Sequence, residues 1–334
     1  MKCVKVPLKQ LNDTRIKLME NGLMNMEYHI KAGDDYGYIP INEDVDDYEI
    51  VDIELEPMKR VPHNFSELLE GELTEEEIEN LRTSFDTIGD IVILEIPEDL
   101  QDKKFKIGEA ALKFTKRRSI YMKKSAIKGT TRVRDLEFLA GVDDSVTIHK
   151  EPGARLKLDV REVYFSPRLA TERKRVMQSV REGEEILDMF CGIGPFPIVI
   201  ARNKNVEITS VDINESAIKY LDENIRMNKL KGSITTFTGD VREVSKSFNS
   251  KFDRIIMNLP GLAYTFLDVA VDLIKDGGII NYYEFSDSYE QGIKRLKDAA
   301  NAVGKDVEII NCRKVKSTSP GEWHVAIDGK ISKR

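Results

Sequence analysis

The chain has 334 residues, of which 41% are hydrophobic and 33% are charged, and its formal net charge is −7. This length and apolar share allow two or three domains with buried cores. The sequence has no apolar run long enough to span a membrane, and its start, MKCVKVPLKQLNDTR, lacks the apolar stretch of a signal peptide, so we expect a cytoplasmic protein. Cys3, Cys191 and Cys312 are too scattered to predict a disulfide framework or a structural zinc site.

Charged residues are segregated along the chain. Residues 43–99 carry 20 acidic and 3 basic side chains, whereas residues 103–134 carry 12 basic side chains and one acidic side chain. Only the second segment resembles a surface that binds a polyanion, and we expect the acidic segment to face away from such a partner or to discourage non-specific binding. The alternative, that both segments are ordinary solvated faces, stays open.

The first 60 residues predict a small α+β domain. CVKVP alternates like a strand, residues 8–21 fit a helix, and YHIKAGDDYGYIPI fits a hairpin that turns at GDD. Residues 56–66 contain two prolines and few apolar side chains. This composition predicts a domain boundary near residue 60.

Residues 61–160 predict a middle α+β domain, and because it contains the basic segment it is the candidate domain for binding a nucleic acid such as RNA. An acidic helix is followed by the strand DIVILEI, a helix over residues 102–114 and, after the basic stretch, the short strands SVTIHK and ARLKLDV.

Residues 161–334 predict an α/β domain. From residue 184, apolar strands alternate with amphipathic helices, which is typical of a parallel sheet covered on both faces. The chain closes with two strands, DVEIINCRKV and EWHVAIDG, that have no helix between them, and a short connection permits only antiparallel pairing. The sequence therefore predicts a doubly wound sheet with a reversed terminal strand, preceded by two smaller α+β domains.

Polar side chains and a glycine-rich turn follow four successive strands of this predicted sheet. Because the carboxyl ends of parallel strands meet at one edge, we expect these residues to form a nucleoside pocket. No third glycine follows Gly194 at the spacing of the dinucleotide fingerprint, so a pyrophosphate cradle is disfavoured, although a nicotinamide dehydrogenase stays as a competitor. The residues are Asp188, Gly192, Gly194, Asp212, Asp240 and Asn258.

Four motifs carry family resemblances. LDMFCGIGPF and the strand ends that follow it resemble the class I S-adenosylmethionine-dependent methyltransferases. VYFSPRLATER, TRVRDLE and MNLP, together with the small N-terminal domain, resemble the archaeal and eukaryotic tRNA (guanine-N(1))-methyltransferases that modify position 37. This resemblance covers essentially the whole chain. It implies S-adenosylmethionine as cofactor, tRNA as substrate, no required metal, a monomer, and an N-terminal domain that contacts the outer corner of tRNA.

The resemblance also implies roles for individual residues. Glu172 would be the general base, Arg132 would contact the guanine carbonyl, and Asn258 would shape the base pocket. The expected substrate-binding residues are Tyr164, Pro260 and Arg173. The expected cofactor-binding residues are Arg168, Asp188, Phe190, Gly192, Gly194, Asp212, Ile213, Asp240, Val241 and Asn258.

These residue types suit the chemistry. The ring nitrogen N1 of guanine carries a proton at neutral pH, so a base must remove it before methyl transfer, and a guanidinium stabilises the charge that grows on the carbonyl oxygen. Other interpretations stay open: Glu172 as a solvated helix charge, Arg132 as a phosphate contact, and Tyr164 as a core residue. Two rival functions also remain, the aminocarboxypropyl transferase of wyosine biosynthesis and a non-catalytic RNA-binding protein that keeps the cofactor fold.

Overall fold

The computed structural model describes residues 1–58, 62–125, 133–151, 153–248 and 251–334. Arg132 and the boundary predicted near residue 60 lie outside the described residues. The contacts divide the chain into two compact units, Met1–Glu67 and Leu68–Arg334. The division into three domains at residues 60 and 160 stays a prediction. In the part of the chain that is described, no helix is long and apolar enough to cross a membrane.

The first unit is a sheet with one helix packed on it, and its predicted strand, helix and hairpin are confirmed. Strand β1 alternates so that Val4 and Val6 are buried against Leu18 of helix α1. The strand order is β2-β3-β1-β4, with antiparallel pairing throughout. The elements are β1 (Lys2–Pro7), α1 (Leu11–Glu20), β2 (Lys31–Ala32), β3 (Tyr36–Pro40) and β4 (Glu49–Asp52).

The second unit begins with a small α+β region. Its first helix has a capping box, because Thr74 accepts a hydrogen bond from the Glu77 N–H while the Glu77 carboxylate accepts one from the Thr74 N–H. The strands form one sheet of order β5-β6-β7-β8 and a separate β9-β10 hairpin. The elements are α2 (Glu75–Asn80), β5 (Asp86–Ile88), β6 (Ile91–Leu94), α3 (Lys104–Thr115), β7 (Ser119–Lys123), β8 (Leu136–Gly141), β9 (Val146–Glu151) and β10 (Ala154–Asp159).

The basic segment 103–134 pairs with the acidic segment, and the expectation that the acidic residues face away is wrong for several of them. The ammonium of Lys103 lies 2.5 Å from the Glu77 carboxylate, and Lys106 pairs with Glu72. Further pairs are Arg118 with Asp90 at 2.7 Å, and Lys123 with Glu95 at 3.5 Å. The sequence also missed that β7 lies inside this basic stretch with residues 119–122 buried.

The last region is the predicted doubly wound sheet. Its strand order is β13-β12-β11-β14-β15-β17-β16, with parallel pairing from β13 to β15. After β15, helix α9 connects to β16, which forms the edge of the sheet. Strand β17 then forms a hairpin with β16 and lies between β15 and β16, antiparallel to both. The reversed strand is thus confirmed, and it lies one position inside the sheet edge. The elements are α4 (Ala170–Ser179), β11 (Glu185–Asp188), α5 (Pro195–Asn203), β12 (Glu207–Asp212), α6 (Glu215–Met227), β13 (Ser233–Thr238), α7 (Val241–Val244), β14 (Phe252–Met257), α8 (Leu267–Leu273), β15 (Ile274–Ser286), α9 (Glu290–Ala302), β16 (Lys305–Ser319) and β17 (Glu322–Lys333).

Both faces of this sheet are covered, as the continuous apolar strands predict. On one face Leu267 of α8 and Leu296 of α9 pack on Ile255 and Ile280. On the other face α4, α5 and α6 bury apolar side chains against the strands. The carboxyl ends of β11 to β14 therefore stay together at one edge, where the site lies.

Candidate functional site

The carboxyl ends of β11 to β14 converge on a cavity of about 330 Å³. This volume is at the lower end of the range for small-molecule sites, roughly 300–1,000 Å³. The structure brings together at its wall these residues predicted from the sequence: Tyr164, Phe190, Gly192, Asp212, Ile213, Asp240, Val241 and Asn258. Asp188, Gly194, Pro260, Arg168, Arg173 and Glu172 lie elsewhere, as described below.

The two glycines of the turn after β11 are required for different structural reasons. Gly192 has φ +53°, lines the cavity and donates its N–H to Asp212 over 2.6 Å. Gly194 has φ +82°, and a Cβ there would lie 2.1 Å from Leu221 Cδ1. Gly194 therefore allows α5 to pack against α6, and it is not among the residues that line the cavity, so its predicted contact with the cofactor stays a prediction.

Asp212 ends β12 with its carboxylate at the cavity. Oδ2 accepts from the Gly192 N–H at 2.6 Å, and Oδ1 accepts from the Asn214 N–H at 2.9 Å. Burial raises the pKa of Asp212, against the lowering effect of these backbone hydrogen bonds. The turn thus fixes the direction of the carboxylate, whose remaining lone pairs are available to hydroxyl donors.

Asp188 ends β11 beneath the cavity and is 1% exposed. Its Oδ1 accepts from the Phe190 N–H at 3.3 Å, whereas the buried Oδ2 has no hydrogen-bond partner among the described residues. Burial, with a smaller effect of the Asp212 charge, raises the pKa of Asp188 to about 8. A buried oxygen of this kind is costly to leave unbonded, so it suits a cationic or donating ligand group.

Asp240 does not end the third strand, because β13 stops at Thr238. It instead caps α7, with Oδ1 accepting from the Arg242 N–H at 2.9 Å. The Arg242 guanidinium lies 3.9 Å from the Phe266 ring centroid, and Phe266 packs edge-on against Phe190 at 5.0 Å. Sequence reasoning missed this stacked wall, and the aromatics in NLPGLAYTF after the fourth strand were the signal for it.

Asn258 follows the last residue of β14, as the sequence predicted. It lines the cavity, and its buried Oδ1 lacks a hydrogen-bond partner within the ranges that the structure describes. Pro260 is buried, and its carbonyl accepts from the Phe285 N–H at 3.2 Å. The proline thus ties the loop to β15 and holds the amide of Asn258 at the sheet edge.

Glu172 lies in α4 and is 1% exposed, and it is not among the residues that line the cavity. Its Oε1 accepts a hydrogen bond from the Tyr283 hydroxyl at 2.8 Å, and the Arg175 guanidinium contacts both carboxylate oxygens. In the parallel register Met257 pairs with Tyr282, so Asn258 comes level with Tyr283. The carboxylate of Glu172 is therefore bonded to a side chain of β15, the strand that pairs with β14.

Two predicted arginines are held by acids outside the cavity. Arg173 is 1% exposed, pairs with Glu151 through two hydrogen bonds and joins α4 to β9, so this structure gives it a packing role. Arg168 donates to Asp86 at 2.6 Å in a neighbouring cleft of about 370 Å³. Tyr164 lines both the cavity and this cleft, which makes it the residue between them.

Comparison with known proteins adds family information to this geometry. The family model described as the TRM5/TYW2 methyltransferase domain matches residues 147–310, the TYW2 N-terminal domain matches 65–145, and the tRNA methyltransferase 5 N-terminal domain matches 3–49. The chain is 43% identical over 333 residues to the tRNA (guanine(37)-N(1))-methyltransferase Trm5b of Pyrococcus abyssi, covering 98% of both chains.

Solved structures show the same likeness. The crystal structure of Trm5b from Pyrococcus abyssi superposes with a TM-score of 0.87 at 42% identity, covering 99% of both chains. A complex of aTrm5 with tRNALeu gives a TM-score of 0.84 at 38% identity, covering 99% of this chain and 100% of that one. A more distant relative, the tRNA(Phe) (4-demethylwyosine(37)-C(7)) aminocarboxypropyltransferase of Pyrococcus horikoshii, is 32% identical over 80% of this chain and 96% of its own length.

The likeness to Trm5b thus extends over nearly the whole chain, including the first unit. The chain therefore belongs to the tRNA (guanine(37)-N(1))-methyltransferase family of archaeal and eukaryotic type.

Proposed function

We propose that this protein transfers a methyl group from S-adenosylmethionine to the ring nitrogen N1 of guanosine 37 in tRNA, giving 1-methylguanosine. The observation that carries the proposal is the position of Asn258. Asn258 lines a cavity of about 330 Å³, and its buried amide oxygen has no hydrogen-bond partner among the described residues, while the carboxylate of Glu172 is bonded to Tyr283 on the strand that pairs with β14. A hydrogen-bond acceptor and a proton acceptor at one sheet edge suit a substrate whose ring nitrogen must lose a proton.

The cavity residues fit S-adenosylmethionine. The fixed carboxylate of Asp212 suits the ribose hydroxyls. Asp188 does not line the cavity, but its buried Oδ2, which has no partner among the described residues, suits a donating group such as an ammonium. Ile213 and Leu262, which are 45% and 46% exposed, give the cavity an apolar rim for a flat base. When bound, S-adenosylmethionine supplies an electrophilic methyl group on its sulfonium.

The residues of this chain would then handle the proton. Asn258 hydrogen-bonds in the plane of the guanine and fixes its edge, while Glu172 takes the proton from N1. Tyr283 and Arg175 hold the carboxylate of Glu172 in one orientation before the reaction. General-base catalysis of this kind contributes roughly 100- to 10,000-fold in rate. The predicted contact of Arg132 with the guanine carbonyl stays a prediction.

The substrate base has to leave the stack of the anticodon loop to reach this edge. The cleft that adjoins the cavity at Tyr164 supports this entry route, because it combines cationic and aromatic side chains suited to a nucleic-acid strand. Its cationic and aromatic lining residues are Arg82, Lys123, Arg134, Arg168, Lys316, Phe85, Tyr164, Phe165 and Phe285. The expected monomeric state and cytoplasmic location stay predictions.

The rival activity is aminocarboxypropyl transfer, which a relative at 32% identity performs by its name. The match of residues 3–49 to the tRNA methyltransferase 5 N-terminal domain, and the higher identity to Trm5b over 98% of the chain, favour methyl transfer.

Product identity tests the proposal. The protein is incubated with S-adenosylmethionine labelled in the methyl group or in the aminocarboxypropyl chain, and with unmodified tRNA transcripts that carry guanosine or adenosine at position 37. The nucleosides are then identified by mass spectrometry. We expect 1-methylguanosine with the first transcript and no transfer to the second. A heavier aminocarboxypropyl adduct would identify the rival activity, and binding of tRNA without any transfer would refute an enzyme.

A further inference from the structure

One guanidinium is shared by two buried carboxylates next to the proposed base. Arg175 donates to Glu172 Oε1 at 2.7 Å and to Asp328 Oδ2 at 2.6 Å, with a second contact to Asp328 Oδ1 at 3.2 Å. Glu172 is 1% exposed and Asp328 is 4% exposed. The side chain of Arg175 is 22% exposed, so solvent screens its charge only in part.

Asp328 is held from the two strands that flank its own. It lies in β17, inside the sheet, where Asn281 of β15 donates to Oδ1 at 2.6 Å and Asn311 of β16 donates to Oδ2 at 3.1 Å. Glu172 instead projects from a helix on a longer side chain.

Two guanidinium groups and a hydroxyl donor surround the carboxylate of Glu172. Arg175 lies on α4, Arg313 of β16 is 3.5 Å away, and the Tyr283 hydroxyl of β15 donates at 2.8 Å. The ring of His324 from β17 packs on Tyr283 with centroids 5.4 Å apart. If Glu172 took a proton with these partners alone, Arg175 would be left as a largely buried cation without a counter-charge, which is costly.

We propose that Asp328 is a positioning residue for the base: it keeps Arg175 neutralised and fixed on the sheet, so that Glu172 is able to leave the guanidinium and take up the substrate proton. This inference rests on the proposed function. It assigns no substrate contact to Asp328, which acts only through Arg175. Arg175 and Asp328 carry opposite charges, so removing one or the other should act on Glu172 in opposite directions.

The test is the pH dependence of single-turnover transfer, measured at saturating cofactor and tRNA. In Asp328→Asn, Glu172 is left as the carboxylate that pairs with Arg175, so the guanidinium holds it more strongly. We therefore expect the rate to fall about tenfold and the midpoint of the acidic limb of the pH–rate profile to move down by about one pH unit. In Arg175→Gln the opposing cation is gone, and the midpoint should move up by a similar amount. The double variant should return the midpoint towards that of the wild type.

Two further variants separate positioning from folding. Asn311→Ala removes one hydrogen bond to Asp328 without changing charge, and it should move the midpoint in the same direction as Asp328→Asn by a smaller amount. Asp306→Asn changes an exposed carboxylate that pairs with Arg334 on the surface, and should leave both rate and midpoint unchanged. Melting temperature and cofactor affinity by calorimetry are recorded for every variant.

The outcomes are distinct. Midpoints that move in opposite directions for the two single variants support the proposal. Midpoints that do not move, or that move in the same direction, overturn it, even if the rates fall. The pH–rate profile is measured for whichever modified nucleoside the wild type forms, so a product other than 1-methylguanosine would contradict the proposed function but not the role of Asp328. A wild type that transfers no group at all would contradict both the proposed function and the role of Asp328.

Discussion

The backbone N–H of Gly192 lies 2.6 Å from Asp212 Oδ2, and this hydrogen bond joins the turn after β11 to the end of β12. A second backbone donor, the Asn214 N–H, reaches Oδ1 at 2.9 Å. Two N–H groups on two different segments thus converge on one carboxylate. The shape of the cavity floor and the acceptor that faces the ligand depend on the same side chain.

Asp212→Asn should weaken cofactor binding by roughly 10- to 100-fold, because a hydrogen bond to a charged group contributes about 1.5–3 kcal/mol. The amide retains the size of the side chain, but it has one acceptor oxygen where the carboxylate has two. The two backbone donors and the ribose hydroxyls would therefore compete for that oxygen. Calorimetry with S-adenosylmethionine measures the change. Asp268→Asn, at an exposed position of α8, is the matched control. Unchanged affinity in Asp212→Asn would mean that the cofactor binds elsewhere.

Asp188 should make the stability of the ligand-free protein fall as the pH rises. Burial raises its pKa in the folded protein to about 8, whereas an unfolded aspartate has a pKa of about 3.9. Between these values the folded state holds a proton that the unfolded state has lost, so this group's contribution is fully present below about pH 4 and is lost through pH 8.

Urea unfolding at pH 5.5 and pH 8 tests this linkage. The wild type should lose on the order of 1 kcal/mol per pH unit through this group, and Asp188→Asn should lose less over the same interval. The exposed Asp268→Asn should behave like the wild type. An equal pH dependence in Asp188→Asn and the wild type would show that Asp188 is already ionised in the folded protein.

Gly194→Ala should destabilise the fold more than Gly183→Ala. Both glycines have positive φ, +82° and +80°, which costs an alanine roughly 1–2 kcal/mol. At Gly194 the new Cβ would also lie 2.1 Å from Leu221 Cδ1, whereas no described heavy atom lies within 4 Å of a Cβ at Gly183. Overpacking adds about 1–3 kcal/mol, so the two melting temperatures should differ clearly.

Adding Leu221→Ala to Gly194→Ala checks the cause. If the clash with the leucine is responsible, the double variant should be more stable than the sum of the two single changes predicts, because the residues are in contact. Strict additivity, or equal melting temperatures for the two glycine variants, would contradict a packing role for Gly194.

The sheet and its polar edge could be predicted because each strand carries its own apolar pattern and its own terminal residue. Asp188 and Asp212 end their strands, and Asn258 follows its strand, as predicted. The ion pairs between the acidic and basic segments could not be predicted, since Lys103 and Glu77 are 26 residues apart and their pairing depends on how α2 meets α3. Counting charges along the sequence therefore does not show that the acidic and basic segments neutralise each other where they pair in the fold.

The residues that surround the predicted base, Glu172, could not be predicted from the sequence either. Glu172 could be singled out from a motif, but its partners Tyr283 and Arg313 lie more than 100 residues away and reach it only because β15 and β16 lie beneath α4. The same applies to Arg173, whose burial against Glu151 depends on the β9-β10 hairpin. Roles that rest on local motifs are accessible from a sequence, whereas roles that rest on packing between distant elements need the fold.

Glu172→Gln should lower the single-turnover rate of methyl transfer by roughly 100-fold or more, because the variant keeps the shape of the side chain and loses the proton acceptor. Cofactor affinity should change little, since Glu172 is not among the residues that line the cavity. Quenched-flow measurement with labelled cofactor gives the rate. Glu223→Gln, in which a surface pair with Lys157 is lost, is the control. Near-normal transfer in Glu172→Gln would refute its role as base.

The first unit should contribute to recognition of whole tRNA and not to the chemistry. Its core of Val4, Val6, Leu18, Ile39 and Ile41 is formed within Met1–Glu67. The cavity residues all belong to the second unit. A separable domain that adds distant contacts raises affinity through effective concentration and leaves the reacting site unchanged.

A protein that begins near Val61 should therefore fold, bind S-adenosylmethionine with unchanged affinity, and methylate a short anticodon stem-loop as fast as the full chain does. It should lose the preference of the full chain for intact tRNA over that stem-loop, which competition kinetics with both RNAs measures. Loss of cofactor binding on truncation would show that the first unit is part of the catalytic core. A preference for intact tRNA that survives truncation would assign its recognition to another surface, of which the basic segment 103–134 is the first to test by charge reversal at its lysines.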